Sequence, residues 1–176
     1  MKPPLIQFDL IGTGGPGLLP TSEPSIVVGG TGGEILGGIT YDDVTRPMFV
    51  NVGWGSANGF TDLGSASNMS HIHGPTAAAN GSNGVNNFVQ TAGILFNLTR
   101  TSNATTGGQI LASGNPITLT LTQQSELYSG RYYINLRTLN NGGGEMRGFL
   151  VVVPEPTAGL LGLASLGVLT LRRRRA

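Results

Sequence analysis

The 176-residue chain has no cysteine, which excludes a disulfide framework, thiolate catalysis and any cysteine-ligated metal. Charge is scarce as well: 11% of residues are charged, against 29 glycines and 10 prolines, a balance that excludes long solvated helices. Four of the ten basic residues are Arg172, Arg173, Arg174 and Arg175. Ahead of residue 154 there remain six basic and eight acidic residues, or −2, so no basic patch is left for a nucleic acid. The opening "MKPPLIQFDLIGTGG" lacks the charged start, apolar run and cleavage site of a secretory signal, because Pro3, Pro4, Gln7 and Asp9 interrupt it. "GTGGPG" and "GGTGGE" lack the lysine of a phosphate loop and the helix of a dinucleotide fold, and are expected to be plain loops. No Ser/His/Asp arrangement has a supporting motif, and Asp42 and Asp43 have the look of turn residues rather than of paired catalytic carboxylates.

What is present is strands and turns. "SIVVGG", "EILGGITYDD", "PMFVNVGW", "GILFNLT", "ITLTLT", "RYYINLRT" and "EMRGFLVVV" are short, rich in β-branched or aromatic residues, and bounded by Gly, Asn, Asp or Pro. The pattern predicts one all-β domain over residues 5–152, arranged as a Greek-key β-sandwich. In "ITLTLT" the alternation sends Ile117, Leu119 and Leu121 to the core and the threonines to water. A single helical turn is expected at "QQSELYSG", with Leu127 and Tyr128 covering one end of the core.

Chemistry concentrates in two stretches. "MSHIHGP" contains both histidines; on a strand, His71 and His73 share one face while Ile72 points to the core. Two imidazoles are half of a copper or zinc site, and such sites take three or four protein ligands, so a carboxylate such as Glu145, or water, must complete it. "RYYINLRTLNNGGGEMRGFL" predicts a hairpin with Tyr132, Ile134 and Leu136 inward and Tyr133, Asn135 and Arg137 outward. On the returning strand Glu145 and Arg147 share a face and Met146 takes the core side, which makes a Glu145 ion pair with Arg137 or Arg147 the expected polar contact.

The last segment, residues 153–176, has its own logic. Pro154 and Pro156 break any element leaving the domain, Ala158 to Leu171 is an uncharged run of 14 residues, and four arginines close it. A membrane span takes roughly 17–25 residues, so the run is a marginal span, expected as a short transmembrane helix whose arginines stay on the cytoplasmic side.

Two resemblances rest on these residues. Pro154, Glu155 and Pro156, followed by the apolar run and Arg172 to Arg175, resemble a PEP-CTERM sorting signal. That resemblance implies a bacterial protein exported, processed by an exosortase-type enzyme, and delivered to the cell envelope, cell surface or an extracellular polysaccharide matrix. His71, Ile72, His73, Gly74 and Pro75, with Tyr133, Asn135, Arg137, Thr138 and then Gly144, Glu145, Arg147 and Gly148, resemble the CHRD domain. It implies a β-sandwich of immunoglobulin-like or superoxide-dismutase-like character. Arg137 stands where that family usually shows histidine, which removes a ligand and adds a positive charge. The expectation is therefore a non-enzymatic surface protein without a required cofactor, structural or adhesive in role, with a copper- or zinc-binding, dismutase-like protein using His71 and His73 as the alternative.

Overall fold

The run "PMFVNVGW" forms a strand over its whole length, because Met48, Val50 and Val52 alternate into the core while Phe49 and Asn51 face away. A computed structural model describes residues 5–22, 27–77 and 90–154. In chain order the strands are β1 (Ile6–Gly12), β2 (Gly15–Pro16), β3 (Leu19–Pro20), β4 (Gly32–Tyr41), β5 (Pro47–Trp54), β6 (Ser67–His73), β7 (Ile94–Asn97), β8 (Gly108–Ile110), β9 (Ile117–Thr118), β10 (Tyr133–Thr138) and β11 (Met146–Val152). Among the described residues an α-helix, α1 (Leu121–Tyr128), lies between β9 and β10.

The all-β expectation holds. Where the strand pattern suggests two facing sheets, hydrogen bonding runs through one antiparallel sheet in the order β7-β6-β10-β11-β1-β4-β5-β8, with β2, β3 and β9 attached to β1, β11 and β5. Strand β1 makes the difference. It pairs with β11 on one side (Phe8 opposite Val152) and with β4 on the other (Phe8 opposite Ile39), joining two halves that would otherwise be separate. Laid flat, eight strands would spread over roughly 34 Å at about 4.8 Å per step. Ile72 and Leu98 from one end nevertheless share a single core with Trp54 and Ile110 from the other, so the sheet curls into a half-barrel around that core.

Three local expectations differ. Leu121 does not continue the β9 alternation: it is 71% exposed, because Thr120 ends the strand as an N-cap. The Thr120 hydroxyl accepts from the Gln123 N–H and the Gln123 side chain accepts from the Thr120 N–H, a capping box that starts α1. Leu127 of that helix is buried, and Tyr128 stacks on Phe8 at 6.2 Å, as the sequence suggests. The described part of "SIVVGG" forms no strand, and Val28 is 98% exposed. The "GGE" of "GGTGGE" is the beginning of β4 rather than a loop. Among the described residues no helix is long and apolar enough to cross a membrane. The span expected at Ala158 to Leu171, with Glu155, Pro156 and Arg172 to Arg175, lies outside the described residues, while Pro154 follows β11 and is exposed.

Candidate functional site

Strands β6, β10 and β11 lie side by side, and their registers set the family-motif residues in rows. His73, Tyr133 and Phe149 form one row; His71, Asn135 and Arg147 form the next. Alternation puts both rows on the face opposite Ile72 and Ile134, which belong to the main core. The sequence therefore identifies the face correctly. It does not anticipate that this face is covered: Tyr133, Asn135 and Phe149 are fully buried, and His71, His73 and Arg147 nearly so.

Aromatic stacking organises the rows. The His73 ring lies at 4.9 Å from Tyr133 and 13° from parallel, Tyr133 lies 5.1 Å from Phe149, and His71 meets His73 edge-on at 5.5 Å. The Arg147 guanidinium carbon sits 4.1 Å from the Tyr133 ring centroid, a cation–π contact strengthened by exclusion of water. Ile11 and Ala92 pack against Tyr133 and Phe149, giving this face a small core of its own.

The cover includes the backbone of residues 90–93. Arg147 Nη1 donates to the Gln90 carbonyl at 2.6 Å, and the Ala92 N–H donates to the Tyr133 hydroxyl at 3.2 Å. The Gly74 N–H donates to the Gly93 carbonyl at 3.0 Å. His73 Nδ1 lies 2.8 Å from the Ala92 carbonyl; a carbonyl only accepts, so Nδ1 carries the proton and a neutral His73 keeps its lone pair on Nε2. Beyond His73, Gly74 and the cis-linked Pro75 lead out of β6, and Thr76 is tied to Arg131 by Arg131 Nε to the Thr76 carbonyl at 2.6 Å.

Glu145 does not make the expected ion pair. Its carboxylate is fully buried and accepts from the Gly30 N–H (2.9 Å), the Gly64 N–H (2.6 Å), the Thr138 hydroxyl (2.7 Å) and the Asn141 amide (3.3 Å). Four neutral donors serve one carboxylate, tying two distant loops to the β10–β11 hairpin. Gly144 before it has φ +124, and a Cβ there would fall 2.1 Å from Asn135 Oδ1. Asn135 in turn donates to the Gly143 carbonyl at 3.1 Å, so the hairpin turn closes onto β10 through this amide. Arg137 is half-buried on β10 opposite Met69, beside a register shift, and its Nε has no hydrogen-bond partner.

For a metal, the described residues supply two imidazoles only. Glu145 is committed elsewhere, and no group of three or more His, Asp or Glu side chains assembles among the described residues. Arg147 places a fixed positive charge on the same face, which opposes a second cation. Neither of two surface clefts, about 340 and 170 Å³, is lined by His71, His73, Glu145 or Arg147. Two of the aspartates shape turns: Asp42 Oδ1 accepts from the Val44 and Thr45 N–H groups, and Asp62 Oδ1 accepts from the Ser56 N–H, a bond that holds Asp62 below the usual carboxylate range. Sequence reasoning missed Gly30, Gly64 and residues 90–93, whose hydrogen bonds to the site run through backbone groups that leave no side-chain signature.

The pattern of the CHRD domain matches residues 30–150, more than two thirds of the chain; β1 lies before the matched stretch although it is central in the sheet. No curated protein and no solved structure matches the chain. With the histidine, tyrosine and Gly-Glu-x-Arg-Gly segments adjacent on three neighbouring strands and the family pattern running through all of them, the chain belongs to the CHRD domain family.

Proposed function

We propose that this chain is a non-enzymatic, structural or adhesive protein of the bacterial cell surface or of the polysaccharide matrix beyond it. Residues 5–152 form the working domain, and residues 153–176 are a PEP-CTERM segment that holds the protein at the inner membrane until an exosortase-type enzyme removes it. One observation carries the non-enzymatic part: the side chains with chemical capacity are buried, with His71 edge-on against His73, and His73, Tyr133, Arg147 and Glu145 bonded to the chain's own backbone. A catalytic site needs such groups aimed at a space that a substrate can enter, and here they serve to fix three strands and their loops. The position of Pro154, exposed two residues beyond β11, suits a processing site that must be reached from solution.

The test is the protein's own C-terminus. Intact mass and C-terminal peptide of the protein recovered from envelope and medium of its native host should end near residues 154–157, without Arg172 to Arg175. An intact arginine end would overturn the sorting route and the surface assignment with it. Equilibrium dialysis against copper and zinc addresses the alternative: stoichiometric metal that is lost in His71→Ala would replace the structural reading with a metalloprotein.

A further inference from the structure

An asparagine followed by glycine is a reactive pair, because the glycine nitrogen attacks the side-chain amide carbon with no Cβ in its way. The chain has four such pairs. Asn80–Gly81 and Asn83–Gly84 lie outside the described residues, while Asn58–Gly59 and Asn141–Gly142 lie within them. The fold holds the first of these two and leaves the second open. Asn58 Nδ2 donates to the Trp54 carbonyl at 2.8 Å and to the Gly108 carbonyl at 3.2 Å, and its Oδ1 accepts from Gln109 Nε2 at 3.0 Å. The Gly59 N–H donates to the Ser56 carbonyl at 3.2 Å, so both reacting groups of that pair are occupied.

Asn141 and Gly142 sit in the turn between β10 and β11. The Asn141 carbonyl accepts from the Thr138 N–H at 3.3 Å and from the Gly144 N–H at 3.0 Å, and the Asn141 N–H donates to the Thr138 carbonyl at 3.2 Å. Its side chain makes one long hydrogen bond, from Nδ2 to Glu145 Oε2 at 3.3 Å. Gly142 is exposed, and its N–H has no hydrogen-bond partner among the described residues. A Cβ built on Gly142 meets nothing within 4 Å, and its φ is outside the positive region. The attacking nitrogen is therefore free, and the amide it attacks is bonded to the carboxylate that ties Gly30 and Gly64 to the hairpin.

We propose that Asn141 is a site of spontaneous covalent modification whose product loosens the β10–β11 turn. The Gly142 nitrogen bonds to Asn141 Cγ, and its proton leaves with the side-chain nitrogen as ammonia. Water then opens the cyclic imide, its OH going to one carbonyl carbon and its H to the ring nitrogen. Breakage of the Cγ–N bond gives aspartate; breakage of the other gives isoaspartate, with the main chain routed through Cβ and Cγ. Either way amide and water become acid and ammonia. The new carboxylate stands against Glu145 where a donor stood, and two carboxylates sharing a site oppose each other's ionisation. Isoaspartate also lengthens the turn and displaces the Thr138 and Gly144 bonds. Because Glu145 holds Gly30 and Gly64 as well, the fault reaches both loops. Time is the only trigger this reaction needs, so the domain loosens with age.

The full chain, in non-ionic detergent, is aged in warm, mildly alkaline buffer and mapped by mass spectrometry after trypsin and chymotrypsin. The Thr138–Arg147 peptide should acquire aspartyl and isoaspartyl forms at Asn141 roughly tenfold faster than the Gly55–Phe60 peptide does at Asn58, since hydrogen bonds on the Asn58 pair raise its barrier. In concentrated urea, where neither pair is held, the two rates should converge. Gly142→Ala, which the open space accommodates, should keep the melting temperature and slow the conversion at Asn141. Asn141→Asp should lower the melting temperature by roughly 4 °C or more, a loss that shrinks in a Glu145→Gln background. A folded chain that converts Asn58 as fast as Asn141 overturns the proposal, and so does an Asn141→Asp protein that melts with wild type.

Discussion

The guanidinium of Arg147 lies 4.1 Å from the centre of the Tyr133 ring, and that same tyrosine stacks on His73 at 4.9 Å. Charge, ring and imidazole thus form one contact group joining three strands. Arg147→Lys keeps the charge and loses the planar group that covers the ring, and should lower the free energy of unfolding by about 1–2 kcal/mol. Urea denaturation measures it; an unchanged midpoint would mean that the arginine's shape is irrelevant there.

Glu145→Ala should be far more damaging. It strips an acceptor from the buried Gly30 N–H, the Gly64 N–H and the Thr138 hydroxyl at once, and we expect a loss of about 3 kcal/mol. Glu145→Gln preserves the oxygen facing Gly30 and Gly64 and should fall between wild type and alanine. Equal stability of all three proteins in thermal melts would remove the carboxylate from any role in tying the loops.

Alkaline pH should destabilise the protein through its tyrosine phenols, of which Tyr132 and Tyr41 are fully buried. Tyr132 donates to Glu126 at 2.6 Å, and burial first, with that hydrogen bond second, raises its pKa far above 10.0. Burial raises Tyr41 and Tyr128 in the same direction. The unfolded chain ionises its tyrosines near pH 10 while the folded chain keeps their protons. The unfolded state then binds fewer protons, so stability is fully present below that pH and declines as pH rises beyond it. Tyr132→Phe should cost about 1 kcal/mol at neutral pH and flatten the decline between pH 9 and 11. Parallel curves for the two proteins in guanidinium titrations would exclude Tyr132 as a source.

A chain beginning at residue 30, where the family match starts, should fail to fold cooperatively. It would lack Phe8 and Leu10 from the core and would expose facing edges on both β4 and β11. Circular dichroism melts with light scattering would show a broad transition and aggregation. A sharp reversible melt would demonstrate that the sheet tolerates the loss of its central strand.

Much of this was legible in the residues. Alternation placed Ile117 and Leu119 in the core, and it separated Ile134 and Leu136 from Tyr133 and Asn135. Alternation reports which face a residue occupies and nothing about what lies over that face, so the burial of Tyr133 and Asn135 was out of its reach. Thr120 and Gln123 carried a capping signal that stops the alternation before Leu121, visible once the helix is considered with the strand. "EILGGITYDD" reads as one strand, yet the ladder breaks between Glu34 and Ile39, where the consecutive Gly37 and Gly38 sit in a bulge. The partners of Glu145 were illegible for another reason: glycines 115 and 81 residues away recognise it through N–H groups that every residue possesses.

The central position of β1 has a consequence in time. Strand β1, Ile6–Gly12, has one neighbour in β4 and the other in β11, which is made last among the described strands. Until Val152 has been synthesised, the β11 side of β1 stays open and the half-barrel cannot close. Contacts of such long sequence separation fold slowly, so the nascent chain passes through a long unfinished stage with strand edges available to other chains. Any cellular factor that shields this protein has to act before translation of β11 is complete.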